Sequence, residues 1–306
     1  MKTQALKLMT VWTMLLCMSC APVDMPPYTQ EQDNSNDRLP TRNPDRSLDR
    51  TKRKPPTPAQ LETLKVRVKA ALDHVKKRDL ETNHSSWTVF HGILGVGLEL
   101  ELVDSFTRER VNAVDYILSG GKVPGLEFLY TEHGLDVRTG PPHLGQGHQD
   151  QYVAEIAQLG LPLDRELIVR GKKHKFAELV NHAKMRASTK KRQELSWTLV
   201  VLSQYYGTDF SWTNEDGDKL HFDDLVRYEL NEPIDDAACG GTHRLFGLTW
   251  AYYTHRKNGG KQTDLWKKVA AKIKEYQNAA RRFQNNDGSF STQYFSRAEN
   301  RQVAQR

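Results

Sequence analysis

From about residue 58 onward, apolar residues recur at steps of three and four, the period of a helix with one buried stripe. Leu61, Leu64, Val68, Ala71, Leu72 and Val75 open the series and predict an amphipathic helix over 58–79, with Thr57 or Pro58 at its start. A second helix is expected from Ser85-Ser86 and carries Trp87, Phe90, Ile93, Leu94, Gly97 and Leu98. The same reading places helices over 105–118, 148–159, 175–187, 192–206, 221–231, 242–256 and 263–284. The run from Leu167 to Phe176 reads instead as a small β-hairpin. Residues 119–147, rich in Gly and Pro, predict a long ordered loop, and long loops in compact domains are usually functional or disordered.

The helices show a weak repeat. Ser86-Trp87-Thr88-Val89 matches Ser196-Trp197-Thr198-Leu199, and Trp250 sits in a similar Leu-Thr-Trp-Ala context further on. One helix pair per ~50–55 residues accounts for the spacing, and a fixed period of helix pairs signals a stacked helical array. The apolar, Trp-bearing helices are then the natural inner ones.

The N-terminal part is different in kind. Lys2 and Lys7 precede a short apolar run, Leu8 to Leu16, which meets Cys17-Met18-Ser19-Cys20-Ala21. A basic start, a short apolar stretch and a small-residue site predict an export leader over 1–19, with Cys20 as the lipidated residue of a bacterial lipoprotein. Residues 20–57 predict a disordered tether: eight of the 13 prolines fall within 21–58, with almost nothing apolar between them. The folded domain is expected over 58–306, and all 20 glycines lie at or beyond Gly92. No later stretch is long and apolar enough to span a bilayer, so membrane attachment is expected through lipid alone.

Charge adds one feature. The formal net charge is +6, but residues 165–192 hold ten Lys/Arg against Glu166 and Glu178, while 209–236 hold ten Asp/Glu against Lys219 and Arg227. Neighbouring segments of opposite sign are expected to face each other or flank one groove. The basic run lacks interleaved aromatics and the chain reads as exported, which excludes nucleic acid as a partner; an anionic glycan or envelope polymer suits such a patch better.

Gln284-Asn285-Asn286-Asp287-Gly288-Ser289-Phe290, after a long helix, resembles the QxxDGSW-type repeat of the terpenoid cyclase and protein prenyltransferase superfamily. That resemblance implies an all-α fold, an (α/α) toroid of helix hairpins around a central pocket, here with a small β-hairpin insertion. The QxxDGSW turn normally leads into a further inner helix, and this chain stops at Arg306, so the ring is expected to be left short or the chain to be an incomplete version. From Trp87 to Phe295 the sequence is also similar to a family of uncharacterised exported proteins of planctomycete type, through His-Gly-Ile-Leu from His91, Gly-His-x-Asp-Gln over 147–151 and Ala-Cys-Gly-Gly-Thr-His over 238–243. Some members of that family carry the label of a GTPase-activating protein directed at ADP-ribosylation factor. Such proteins need a four-cysteine zinc finger, and Cys239 is the only cysteine outside the leader region.

The stretch from Asp235 to His243 is the chemical centre of the chain. It combines Cys239, a Gly-Gly joint and a histidine one turn later, running into an apolar helix. Gly240 and Gly241 with Arg244 are candidate ligand-binding residues, because glycines let the backbone approach a ligand and the helix start favours anions. His91, His148, Asp150 and His243 are candidate catalytic groups, since imidazole and carboxylate serve as acid or base near neutral pH. If the inner-helix starts share one mouth, these groups converge there. A prenyltransferase-like zinc site uses Asp, Cys and His, and Asp236, Cys239 and His243 supply those types. Two functions follow as expectations: a binding or scaffold role at the cell envelope, or an enzyme in the same pocket, either a glycan lyase or hydrolase or a zinc-dependent prenyltransferase-like activity.

Overall fold

The computed structural model of the chain describes residues 57–77, 79–140, 146–234, 236–285 and 289–296. The leader, Cys20, most of the tether and the Asp287-Gly288 turn lie outside the described residues.

Among the described residues nine α-helices carry the architecture: α1 (Pro58–Lys76), α2 (Ser86–Val96), α3 (Ala113–Leu118), α4 (Gln151–Gln158), α5 (Phe176–Arg186), α6 (Ser196–Tyr206), α7 (Phe222–Asn231), α8 (Thr242–Lys257) and α9 (Asp264–Phe283). Between them lie β1 (Leu80–Glu81), β2 (Glu101–Val103), β3 (Arg110–Asn112), β4 (Phe128–Thr131), β5 (Gly134–Val137), β6 (Glu166–Val169), β7 (Lys172–Lys175), β8 (Ser211–Thr213) and β9 (Lys219–His221). Four helices form an inner row in which α2 packs on α4, α4 on α6 and α6 on α8, while α5, α7 and α9 cover that row from outside. Every residue from Ser196 to Ser203 of α6 and from Gln151 to Ala157 of α4 is buried. A helix buried all round belongs to the interior of a fold. Gly247 of α8 permits the closest crossing: a Cβ there would lie 2.4 Å from the Ser196 carbonyl oxygen. Among the described residues no helix is long and apolar enough to cross a membrane.

The all-α expectation is corrected. The described residues are about half helical and form four small sheets, which makes this a mixed α/β structure. Only β6–β7 was foreseen. The pair β8–β9 and the pair β4–β5 are antiparallel hairpins, and β2 pairs antiparallel with β3 and parallel with β1. Strands of two to four residues are too short to establish a two-residue alternation, so the sequence pattern left them inside loops or helices. The helix expected over 105–118 is accordingly a turn, strand β3 and the short α3, and the expected loop 119–147 contains β4–β5.

These hairpins recur in one context. The strands β2–β3, β6–β7 and β8–β9 each lead directly into a helix, α3, α5 and α7. The last strand residue then sits at the helix start: Asn112 Oδ1 accepts the Asp115 N–H (3.0 Å), the Lys175 N–H is received by Glu178 (3.1 Å), and the His221 N–H by Asp224 (2.8 Å). Polar side chains placed this way satisfy donors that a helix start leaves without partners. The repeat unit is therefore an inner helix, a hairpin and an outer helix. The Trp87 and Trp197 matches mark the first turns of inner helices α2 and α6.

Candidate metal centre

The inner helices start at one place, and the residues just ahead of those starts carry the chemistry. His148 lies three residues before α4, Glu194 two before α6, Cys239 three before α8, and His243 in the first turn of α8. One side-chain ligand atom from each of His148, Cys239 and His243 lies within 4.8 Å of the others. The two imidazoles meet edge to face with centroids 4.5 Å apart.

Glu194 organises the pair. Its Oε2 lies 3.0 Å from Nδ1 of His148 and its Oε1 2.8 Å from Nδ1 of His243. A carboxylate accepts from both, so each ring carries its proton on Nδ1 and keeps the Nε2 lone pair for a ligand. The Trp197 indole N–H also lies 3.2 Å from His243 Nδ1, but the shorter contact to a group that only accepts sets the tautomer. Burial disfavours ionised Glu194, yet the hydrogen bonds from both histidines outweigh it and hold its carboxyl well below the usual carboxylate range. Exposure runs across the cluster, from 36% for the His148 side chain through 20% for Glu194 to 3% for His243, so the site opens on the His148 side.

His91 approaches from α2. It is half-buried, its Nδ1 donates to the Trp87 carbonyl at 2.7 Å, and its ring lies against Trp87 with centroids 3.9 Å apart and planes tilted by 31°. Burial lowers its pKa to about 4; the Trp87 carbonyl opposes this, and the nearby His243 and His148 add to it. It stands as a neutral imidazole beside the three-ligand cluster.

The backbone under Cys239 is strained into place. Cys239 has φ 52°, followed by Gly240 at 61° and Gly241 at 93°. Three left-handed residues in succession need a reason, and for the glycines it is close approach. A Cβ on Gly240 would lie 2.2 Å from the Thr292 carbonyl oxygen, and one on Gly241 2.3 Å from that of Ile234. The Gly241 N–H donates to the Ala237 carbonyl at 2.9 Å. Both glycines thus seat the Cys239 turn against neighbouring backbone. Asp236 is exposed, and His148 takes the place in the ligand group that the sequence assigned to it.

Two buried ion pairs fix the frame. Asp150 Oδ2 accepts from Arg186 Nη2 (2.6 Å) and Thr198 Oγ1 (2.5 Å), joining α4 to α5 and α6. Glu229 receives the Leu195 N–H (2.7 Å), the Ser196 hydroxyl (3.2 Å) and Arg244 Nε (2.7 Å), joining α7 to the start of α6 and to α8. Arg244 also donates to the Pro233 carbonyl. Asp150 and Arg244 are therefore each committed to a structural ion pair.

Glu194 is the functional residue that sequence reasoning missed. Its signal was positional: it lies just ahead of an inner helix, as His148 and Cys239 do. A cleft of about 1010 Å³, lined by Thr82, Phe106, Phe128, Ile168 and Arg170 among others, contains none of the cluster residues. The facing of basic and acidic segments occurs in part, through Lys190 with Asp218 and Lys191 with Asp216. No protein-family model, curated protein or solved structure matches the chain.

Proposed function

We propose that this chain is a metal-dependent enzyme of the cell envelope, exported by its leader and held there through lipid on Cys20, with a zinc-class ion bound by His148, Cys239 and His243. The observation that carries the reading is the single carboxylate of Glu194 bonded to Nδ1 of both histidines, with one ring nitrogen of each lying within 4.8 Å of the Cys239 sulfur. Two imidazoles and a thiolate suit zinc, and three protein ligands leave one position open, as catalytic rather than structural sites do. The carboxylate behind the histidines is the usual outer partner of such ligands, fixing ring orientation and tautomer. A bound ion supplies Lewis-acid chemistry at its open position.

The chain's own residues set what reaches that position. Glu194 and the thiolate together balance a divalent charge. The nearby guanidinium groups are committed, Arg186 to Asp150 and Arg244 to Glu229. The centre itself therefore favours a neutral polar group, such as a carbonyl or a glycosidic linkage of an envelope polymer, over a densely anionic glycan. His91 offers a neutral nitrogen beside the cluster, able to accept a proton from a substrate held there.

The test is the metal content of the purified full chain, measured by mass spectrometry, with Cys239→Ala and His148→Ala beside it. Near-stoichiometric zinc in the parent and its loss in both variants is the expected result. A parent chain that folds normally and takes up no zinc would overturn the reading and leave the cluster as a binding pocket.

A further inference from the structure

The opening of the metal centre has a direction. Along the inner row, side-chain exposure rises from 3% at His243 on α8, through 20% at Glu194 ahead of α6, to 36% at His148 ahead of α4. The next member of that row beyond α4 is α2, so the first turns of α2 face the open side. They carry His91 and, one turn nearer the helix start, Trp87. Trp87 occupies the place in α2 that Trp197 has in α6, the second residue of an inner helix. The two indoles are used differently. Trp197 is buried, and its N–H lies 3.2 Å from His243 Nδ1. Trp87 is half-buried, the His91 ring lies against it at 3.9 Å between centroids, and its N–H has no acceptor among the described residues. An indole offers apolar area and one hydrogen-bond donor together, and at this mouth what His91 leaves uncovered is open to a ligand.

We propose that Trp87 is the specificity-determining residue of this mouth and holds a neutral sugar ring of a glycan chain against its indole. The proposal rests on the metal-dependent reading for what the centre does to that chain, and on the geometry of α2 for what is bound. A pyranose presents C–H groups on its face and oxygens around its edge. The face suits the indole, and an edge oxygen accepts the Trp87 N–H. His91 keeps its proton on Nδ1, bonded to the Trp87 carbonyl, so its Nε2 lone pair accepts from a sugar hydroxyl. A peptide unit has a donor and an acceptor but no C–H face between them. An anionic sugar finds Arg186 and Arg244 already committed to Asp150 and Glu229, and His91 uncharged.

The experiment is calorimetric titration of the full chain with cellohexaose, chitohexaose, a neutral Ala-Gly hexapeptide and hexagalacturonate, with the zinc content of each sample measured alongside. At least one of the two neutral sugars is expected to bind, and the peptide and the galacturonate to bind at least about tenfold more weakly. Trp87→Ala should weaken the sugar at least about tenfold with zinc content unchanged. Trp87→Phe, which keeps a ring in the same packing and loses the donor, should fall between the two. Failure of both sugars to bind, equal binding by parent and Trp87→Ala, or tighter binding of the peptide or the galacturonate would overturn the proposal. A zinc-free chain that still binds sugar through Trp87 would sink the metal reading and leave this one standing, whereas a zinc-loaded chain that ignores both sugars would do the reverse.

Discussion

At the scale of single residues, two carboxylates define what the interior can do. Glu194 works because both of its oxygens accept. In Glu194→Gln one of them becomes an NH₂ donor, which must face an Nδ1–H, so one imidazole loses its fixed tautomer. The expected outcome is a drop in zinc affinity of about 10–100-fold with the fold retained. Competition with a chromogenic chelator reads it, and unchanged affinity would remove Glu194 from the site. Glu155 is the opposite case. It is fully buried on α4, and its only described hydrogen bond is from Gln151 Nε2 at 2.9 Å. Burial pushes its pKa up to about 8, against the lowering effect of that hydrogen bond. The folded chain thus holds a proton that the unfolded chain has already lost, so stability falls as pH rises from the ordinary carboxylate range toward 8. The expected slope is ~1 kcal/mol per pH unit. Glu155→Gln should flatten it, and urea midpoints taken at intervals over that range would show whether it does.

At the scale of elements, the centre depends on where the inner helices begin. Glu229 and Arg244 pin the start of α6, which carries Glu194, to the start of α8, which carries His243. The Glu229 side chain is 0% exposed, so Arg244→Met leaves a buried charge without its partner. Removing one member of such a pair costs about 3–5 kcal/mol, whereas replacing both by apolar groups is often tolerated. Arg244→Met should therefore lower the urea midpoint sharply, and Glu229→Leu in the same chain should restore much of it. If the single change were neutral, the pair would have no part in positioning the helices. The hairpins β2–β3, β6–β7 and β8–β9 are the second elemental device: each places a polar residue at the start of the helix that follows and so sets where that helix begins.

At the scale of the whole molecule, the repeat of inner helix, hairpin and outer helix does the assembling. Each inner helix buries itself against the previous one, and the short segments ahead of α4, α6 and α8 are carried to a common place. The metal centre is a product of that stacking, since its residues come from three separate repeats. Helix α1 takes no part in it, and none of its described side chains is buried.

The order and type of most helices were set by the sequence alone. Residues 58–76, 86–96, 151–158, 176–186, 196–206, 222–231, 242–257 and 264–283 each carry enough apolar positions at helical spacing for a local signal to suffice. His148, Cys239 and His243 were legible as candidates because few residue types do such chemistry. What only the tertiary structure decided was everything that depends on pairing across distance. The β1–β2 ladder joins residues some twenty apart with strands too short to leave a pattern. Arg244 reads as an open cation until Glu229 is seen beneath it. Glu194 is one acidic residue among many until the start of α6 brings it between two histidines. Local periodicity records which face of a segment is buried, but it holds no record of what that face meets.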